Sequence, residues 1–321
     1  MIILNAKLGA ESILINEIKT GNITHWLDLV SPSQEEEQRI ETEFGIDVPT
    51  HDDIRSIEPS SRLYREHGAI CMAAQVVVHG DTDLPQTASV AFILKGDTLF
   101  TVRYEASRTF DIFAGECERS QTMGSGAEVL VGLIEAVVDR TSEILERTGQ
   151  AADDLPVKVL SSGKDPSRRR AAAELEAILT DIHRLHRRVA KVRESLVSLG
   201  RMIGFLLAQP DITDSEVRSR ANSVTTDISS VADHATFVAQ NIQFVLDALL
   251  GLISVEQNAI VKFFSIVAVV LLPPTLIAAI YGMNFAVMPE LNWAWGYPTA
   301  LVAMLVSAVF PYLWCRHRGW L

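Results

Sequence analysis

Charge almost vanishes from the last 60 residues of this 321-residue chain: between Lys262 and Arg316 there is no lysine or arginine, and the only carboxylate is Glu290. Helix breakers are missing just before it. No proline occurs between Pro210 and Pro273, and Gly251 is the only glycine between Gly204 and Gly282. Cysteine is scarce as well. Cys71, Cys117 and Cys315 are scattered and odd in number, which excludes a disulfide framework and a CxxC metal pair and fits a cytosolic location for most of the chain. Absent too are a P-loop, HExxH, GxSxG and GxGxxG, so no catalytic constellation is visible and the chain does not read as an enzyme. The opening MIILNAKLGAESILI is interrupted by Lys7 and Glu11 and is not expected to be a signal peptide. There is no internal repeat or low-complexity tract.

The charge that is present sits elsewhere. Of 28 basic and 40 acidic residues, only Lys262, Arg316, Arg318 and Glu290 fall in 262–321, leaving 25 basic against 39 acidic in 1–261, a net of −14. A domain this acidic does not suit nucleic acid, which needs a basic surface. It reads as a solvated surface with some attraction for cations.

Two uncharged runs, Phe263–Tyr281 with 19 residues and Trp295–Trp314 with 20, follow one another. As helices each spans roughly 28–30 Å, about one hydrocarbon core. Lys262 precedes the first, and Arg316, His317 and Arg318 follow the second. The positive-inside rule puts both termini in the cytoplasm and the connecting loop outside. Aromatic residues fall where the interfaces belong: Tyr281, Trp293, Trp295 and Tyr297 outside, Tyr312, Trp314 and Trp320 inside. The chain divides accordingly into an α/β domain (1–125), a helical stalk (126–261) and a two-helix transmembrane domain (262–321, with spans about 263–282 and 295–314).

In the first part ILNAKL, ITHWLDLV and AICMAAQVVV read as strands, and ASVAFILK-GD-TLFTVRY as a hairpin around Gly96-Asp97. SPSQEEEQRIETEFG opens with a Ser-x-x-Glu cap and reads as a helix. From Ala127 the pattern is helical, with one segment to about Gln150, another from about Ser167 to Ala208, and a long rod from about Ser215 to Gly282. Ile228, Val231, Ala235, Val238, Ile242, Val245 and Leu249 recur at spacings of three and four, suited to packing along a neighbour. Gly251 is the one place where the rod could break.

The same repeat continues into the first span as Asn258, Val261, Ser265, Ala268, Leu272, Thr275 and Ala279, carrying the only side-chain amide and hydroxyls from Asn258 to Ile280. Lipid offers such groups no partner, so the stripe either packs on another helix or lines a water-filled path. Ser and Thr can also bond back to their own helix. Two spans cannot enclose a channel, so a conducting form needs several chains around an axis. Pro273-Pro274 permit a kink in mid-span. Ala303 and Ser307 suggest a small-residue face for close helix packing. His183 and His186 have metal-ligand spacing, but Arg184, Arg187 and Arg188 beside them read as a basic face instead. Glu35-Glu36-Glu37 and Asp52-Asp53 read as solvated faces or helix starts.

The run Tyr281-Gly282-Met283-Asn284, followed by Met288-Pro289-Glu290-Leu291 and Gly296-Tyr297-Pro298, resembles the CorA family of divalent-metal transporters. The likeness extends back through Leu272-Pro273-Pro274-Thr275-Leu276 and Glu256-Gln257-Asn258, forward to Arg318-Gly319-Trp320-Leu321, and more loosely to Trp26-Leu27-Asp28-Leu29-Val30. It departs at Ala286, where family members often carry a second glutamate. The resemblance implies a funnel-shaped homopentamer with an α+β cytosolic domain, a long helical stalk that becomes the pore-lining first span, and two C-terminal transmembrane helices. It implies a multi-pass protein of the cell inner membrane that carries Mg2+, and often Co2+ or Ni2+, into the cytosol, with Mg2+ also a regulatory ligand.

On that likeness Gly282, Met283 and Asn284 form the selectivity filter and Glu290 a ring on the outer loop. Asn258 and Thr275 form polar pore rings, Leu272 a hydrophobic gate, and Asp227 and Asp233 are candidates for the cytosolic regulatory site. The chemistry is coherent. Mg2+ dehydrates reluctantly, so amide oxygens of Asn284 can accept hydrogen bonds from its water shell without stripping it. Gly282 lets backbones approach closely. Glu290 raises local cation concentration without tight chelation. Two rivals remain: a zinc transporter of the ZntB type, which the Met-Pro-Glu-Leu loop disfavours, and a non-conducting membrane-tethered metal sensor, which the polar stripe disfavours.

Overall fold

The computed structural model describes residues 3–6, 25–56, 63–80, 82, 85–120, 124–161, 172–284, 288–289 and 293–319. The chain divides into two compact units, Met1–Leu246 and Asp247–Leu321.

Six strands form one sheet in the first unit: β1 (Ile3–Ala6), β2 (Trp26–Val30), β3 (Leu63–Glu66), β4 (Ala69–Val78), β5 (Gln86–Lys95) and β6 (Thr98–Arg103), in the order β1-β2-β6-β5-β4-β3. β1, β2 and β6 run parallel, while β6, β5, β4 and β3 form an antiparallel meander. Two of its three connections, β3–β4 and β5–β6, are two-residue turns. His67 and Gly68 both have positive φ (48° and 77°), the pair of values that a right-twisted hairpin turn needs. Gly96 at φ 57° opens the other turn, at the Gly-Asp pair that the sequence marked.

Helices cover both faces. α1 (Gln34–Phe44) begins with a full capping box, in which Ser33 accepts from the Glu36 N–H and Glu36 reaches back to the Ser33 N–H, and it ends at Gly45 with φ 60°. Its Ile40 and Phe44, together with Ile54 of α2 (His51–Ser56), pack on Leu27, Leu29, Ile93, Phe100 and Val102 of the sheet. The opposite face meets α3 (Arg108–Ser120), whose Phe113 and Phe110 rings lie 5.6 Å from Trp26 and 6.3 Å from Phe92. It also meets α4 (Gly126–Ser161) and α5 (Ala172–Leu207). Serines of α5 clasp strand β4: Ser198 Oγ accepts from the Gln75 N–H at 2.9 Å, and Ser195 Oγ donates to the Gln75 carbonyl at 2.8 Å.

Asp28 and Arg103, 1% and 2% exposed, form a buried ion pair between β2 and β6. The guanidinium reaches Asp28 Oδ2 at 2.8 and 3.1 Å. Thr101 Oγ1 donates to Asp28 Oδ1 at 2.7 Å and accepts from Trp26 Nε1 at 2.9 Å. Asp111 at 3.0 Å and the Phe110 ring at 5.2 Å complete the cage around Arg103. Every polar atom has a partner, the condition under which a buried pair is tolerated.

One helix boundary differs from the sequence reading, and two elements are new. α4 continues eleven residues past Gln150 and through Pro156. Buried Ala152 and Leu155 hold the chain helical where proline alone would have ended it. α3 and β3 carried no strong local signal and were not anticipated.

α6 (Ser215–Tyr281) is one helix of 67 residues, about 100 Å by its rise, unbroken at Gly251. Its apolar repeat is buried: Ile228, Ala235, Val238, Ile242, Val245 and Leu249 are between 0% and 6% exposed.

In the second unit α7 (Gly296–His317) carries a half-buried stripe of Gly296, Ala300, Met304, Ser307, Ala308 and Pro311 that ends at buried Cys315. On α6 the corresponding covered positions are Ile266, Val267, Val270, Pro273, Pro274 and Ile277. Lys262 Nζ lies 3.5 Å from the Gly319 carbonyl. Ser307 thus lies in the covered stripe, but Ala303 is exposed. The small-residue face is set by Ala300, Ser307 and Ala308 instead.

Candidate metal-ion site

The two helices read as membrane spans are apolar outside rather than inside. Only 6% of the most apolar stretch of each is buried. Leu271, Leu276, Val302, Leu305 and Phe310 are between 56% and 71% exposed, the reverse of a core helix and the pattern lipid solvation requires.

Every member of the polar stripe, Asn258, Val261, Ser265, Ala268, Leu272, Thr275 and Ala279, is exposed on the single chain. None lies among the positions of α6 that are covered. The two hydroxyls do bond back, Ser265 Oγ to the Val261 carbonyl at 2.8 Å and Thr275 Oγ1 to the Leu272 carbonyl at 2.8 Å. Each oxygen keeps acceptor capacity toward solvent. Asn258 has no such local bond and presents its amide outward.

At the end of α6 the helix tightens. The Gly282 N–H donates to the Ala278 carbonyl at 3.0 Å, and the Met283 N–H to the Ile280 carbonyl at 3.2 Å. A Cβ at Gly282 would stand 3.1 Å from the Ala278 oxygen, so any other residue would crowd that carbonyl. Asn284 follows directly and is exposed, with no side-chain bond to another described residue. Its amide is therefore free for a ligand or its water. Tyr281 and Met283, 39% and 46% exposed, flank it. Glu290 of the proposed outer ring, and Ala286, lie outside the described residues.

The cytosolic candidates Asp227 and Asp233 are both exposed on α6. Among the described residues no cluster of three or more His, Cys, Asp or Glu side chains could hold a metal within one chain. His183 and His186 are exposed beside Arg184, which pairs with Asp181, and Arg188, which donates to the Thr82 carbonyl. Asp227 does have company that the sequence reading passed over. Partial burial, then the charges of Glu135, Asp227 and Glu143, raise the Asp139 carboxyl above its ordinary value. Glu135, Asp139 and Glu143 are four residues apart on α4, a spacing that puts them on one helix face and was visible in the sequence. Arg220 neutralises Glu135 at the end of this row.

Compared with known proteins, residues 21–317 match the model of the family described as CorA-like Mg2+ transporter protein. The chain belongs to that family. This CorA chain is 31% identical over 297 residues to the magnesium transport protein CorA of Haemophilus ducreyi, covering 92% of each chain. Its fold is similar to the CorA magnesium transporter of Methanocaldococcus jannaschii, with a TM-score of 0.75 at 19% identity over 92% of this chain and 91% of the other. It is also similar to the ZntB cytoplasmic domain of Vibrio parahaemolyticus, with a TM-score of 0.53 at 11% identity over 70% of this chain and 86% of the other. At such identities the likeness speaks for the fold alone. Because the soluble fold is shared with ZntB, it does not distinguish the metal. CorA membership places the chain among ion-transport proteins of membranes, in agreement with the two lipid-facing helices.

Proposed function

We propose that this CorA chain carries Mg2+ into the cytosol, with Co2+ and Ni2+ as further substrates, as a homopentameric channel of the cell inner membrane with both termini cytoplasmic. The observation that carries the reading is the exposed Asn284 amide three residues past the end of the uninterrupted α6, whose membrane part carries an exposed stripe of Asn258, Leu272 and Thr275. The name of the H. ducreyi relative supports magnesium as the substrate.

Around an axis, five Asn284 amides hold the hydration shell of Mg2+, with Gly282 and Met283 completing the filter. Glu290 attracts the ion. Thr275 and Asn258 offer polar stations below, and a ring of Leu272 forms a constriction that dewets when closed. The driving force is electrical: two charges moving through about 100 mV inside-negative gain roughly 4.6 kcal/mol. No chemical step is needed, and the chain is not an enzyme. Mg2+ held by cytosolic carboxylates, with Asp227 and Asp233 as candidates, closes the pore when internal Mg2+ is high.

The test is flux into liposomes carrying the purified protein, with Mg2+, Co2+, Ni2+ and Zn2+ compared under an inside-negative potential. Saturable Mg2+ uptake is expected. Uptake of Zn2+ alone would replace this reading with a ZntB-type transporter, and absence of flux for all four would make the chain a non-conducting sensor.

A further inference from the structure

A groove of about 520 Å3 lies against helix α5 in the first unit, and ion transport gives it no role. Leu63 of β3 and Ala73 and Gln75 of β4 line one side. β3 has four residues against the ten of β4 and ends with Leu63 opposite Met72. Beyond that pair Gln75 is met by Ser195 and Ser198 of α5. α5 forms the other wall with Ala190, Arg193, Val197, Ser198 and Arg201. At 100° per residue these five fall within an arc of about 140°, so one helix face supplies them. Arg193 and Arg201 are exposed, and neither guanidinium has a hydrogen-bond or ion-pair partner among the described residues. Ser198 Oγ accepts from the Gln75 N–H, which leaves its own proton to donate into the groove. Glu194, the one carboxylate on the lining, is held by Lys191 at 2.8 Å.

Charge identifies the occupant. Between His183 and Arg201 the helix carries six Lys and Arg residues against the single acid Glu194, a net of +5, within a region (1–261) of net charge −14. Exposed arginines are ordinary on a solvated helix. Two unpaired ones flanking a groove, on the basic stretch of an acidic domain, make a local trap for an anion. A long polyanion would meet the acidic remainder of the surface, whereas the groove has the volume of a small-molecule site. A carboxylate brings one charge to the two guanidinium groups. A phosphate ester brings about two at neutral pH, and the planar fork of arginine suits its oxygens. Arg193 and Arg201 stand about 12 Å apart along the helix, and their long side chains can close on one group from either end. Val197, 53% exposed, lies between them and continues to Ala190 and Leu63 as an apolar bed. We propose that this groove binds a small organic phosphate, with its phosphate held by Arg193, Arg201 and Ser198 and its apolar body laid on Val197, Ala190 and Leu63. None of these residues lies in the membrane spans, so the proposal stands or falls apart from the transport reading.

The experiment is titration calorimetry on the full-length protein in detergent, with EDTA present so that no divalent ion takes part. ADP is the probe, and adenosine and inorganic phosphate are run beside it. The expected result is saturable ADP binding that weakens with added salt, and that is roughly tenfold or more weaker in an R193Q/R201Q double variant. Both positions are exposed, so the variant should keep the melting temperature of the parent. Adenosine should not bind, and inorganic phosphate should bind more weakly than ADP. Absence of saturable ADP binding, or equal ADP affinity in the double variant, overturns the site. Adenosine binding as tightly as ADP overturns the phosphate contact, and inorganic phosphate binding as tightly as ADP overturns the apolar one.

Discussion

One helix meets two solvents with one repeat. In the first unit the three-four row of α6, from Ile228 to Val245, is sealed against its own domain, and the other faces carry Asp227, Asp233 and Gln240. In the second unit the row from Asn258 to Ala279 has the same period, yet it is the exposed and more polar one, and Leu271, Leu276 and Val269 are exposed too. Water drives apolar side chains inward. Lipid makes no such demand, so the informative residues there are the polar ones, which need protein or water to face. An identical periodicity therefore marks a core seam in one unit and a candidate ion path in the other. The surrounding composition, not the period, tells them apart.

The sharpest way to break the contrast is to put a charge into the sealed row. Val238→Asp places a carboxylate at a position 2% exposed, with a cost of about 4 kcal/mol or more. The expected outcome is loss of folded protein in expression and thermal-melt assays. Next in size is Asp28→Asn, which leaves Arg103 buried without its main counter-ion. The unfolding free energy in denaturant titration should fall by about 3 kcal/mol.

The smallest effect concerns Asp139, whose carboxyl is raised from the ordinary 3.8 by burial first and by Glu135, Asp227 and Glu143 after it. A carboxyl with a raised folded pKa binds its proton more tightly in the folded state, so ionisation above that pKa costs stability and protonation below it relieves the cost. Asp139→Asn should accordingly raise the melting temperature slightly at neutral pH. The gain should shrink as pH falls through the acid range toward 3.8. A constant difference between variant and parent across that range would contradict the account.

What the sequence showed best was whatever is decided locally. The Ser33–Glu36 box, the Gly96-Asp97 turn, strand β4 and the unbroken α6 each follow from residues within a few positions of one another. The Asp28–Arg103 pair joins residues 75 apart and becomes visible only when β2 and β6 are neighbours. Helix α4 outruns its expected end near Gln150 and passes through Pro156, where packing of Ala152 and Leu155 outweighs a local propensity. Within the candidate site, the Gly-Met-Asn motif and the stripe were legible as residue types, and the structure adds that Asn258 and Thr275 lie outside the covered face of α6 and that Asn284 beyond its end is exposed. The neighbours of Asp227 were not legible, because the acidic row on α4 meets it only through tertiary packing.

The central claim is that the Asn284 amide grips hydrated Mg2+. It is tested most directly by measuring Mg2+ uptake into liposomes for the parent and for Asn284→Ala at equal assembled protein. The account predicts loss of selective Mg2+ flux in the variant, with assembly and fold retained. Unchanged rate and unchanged preference among divalent ions would contradict it.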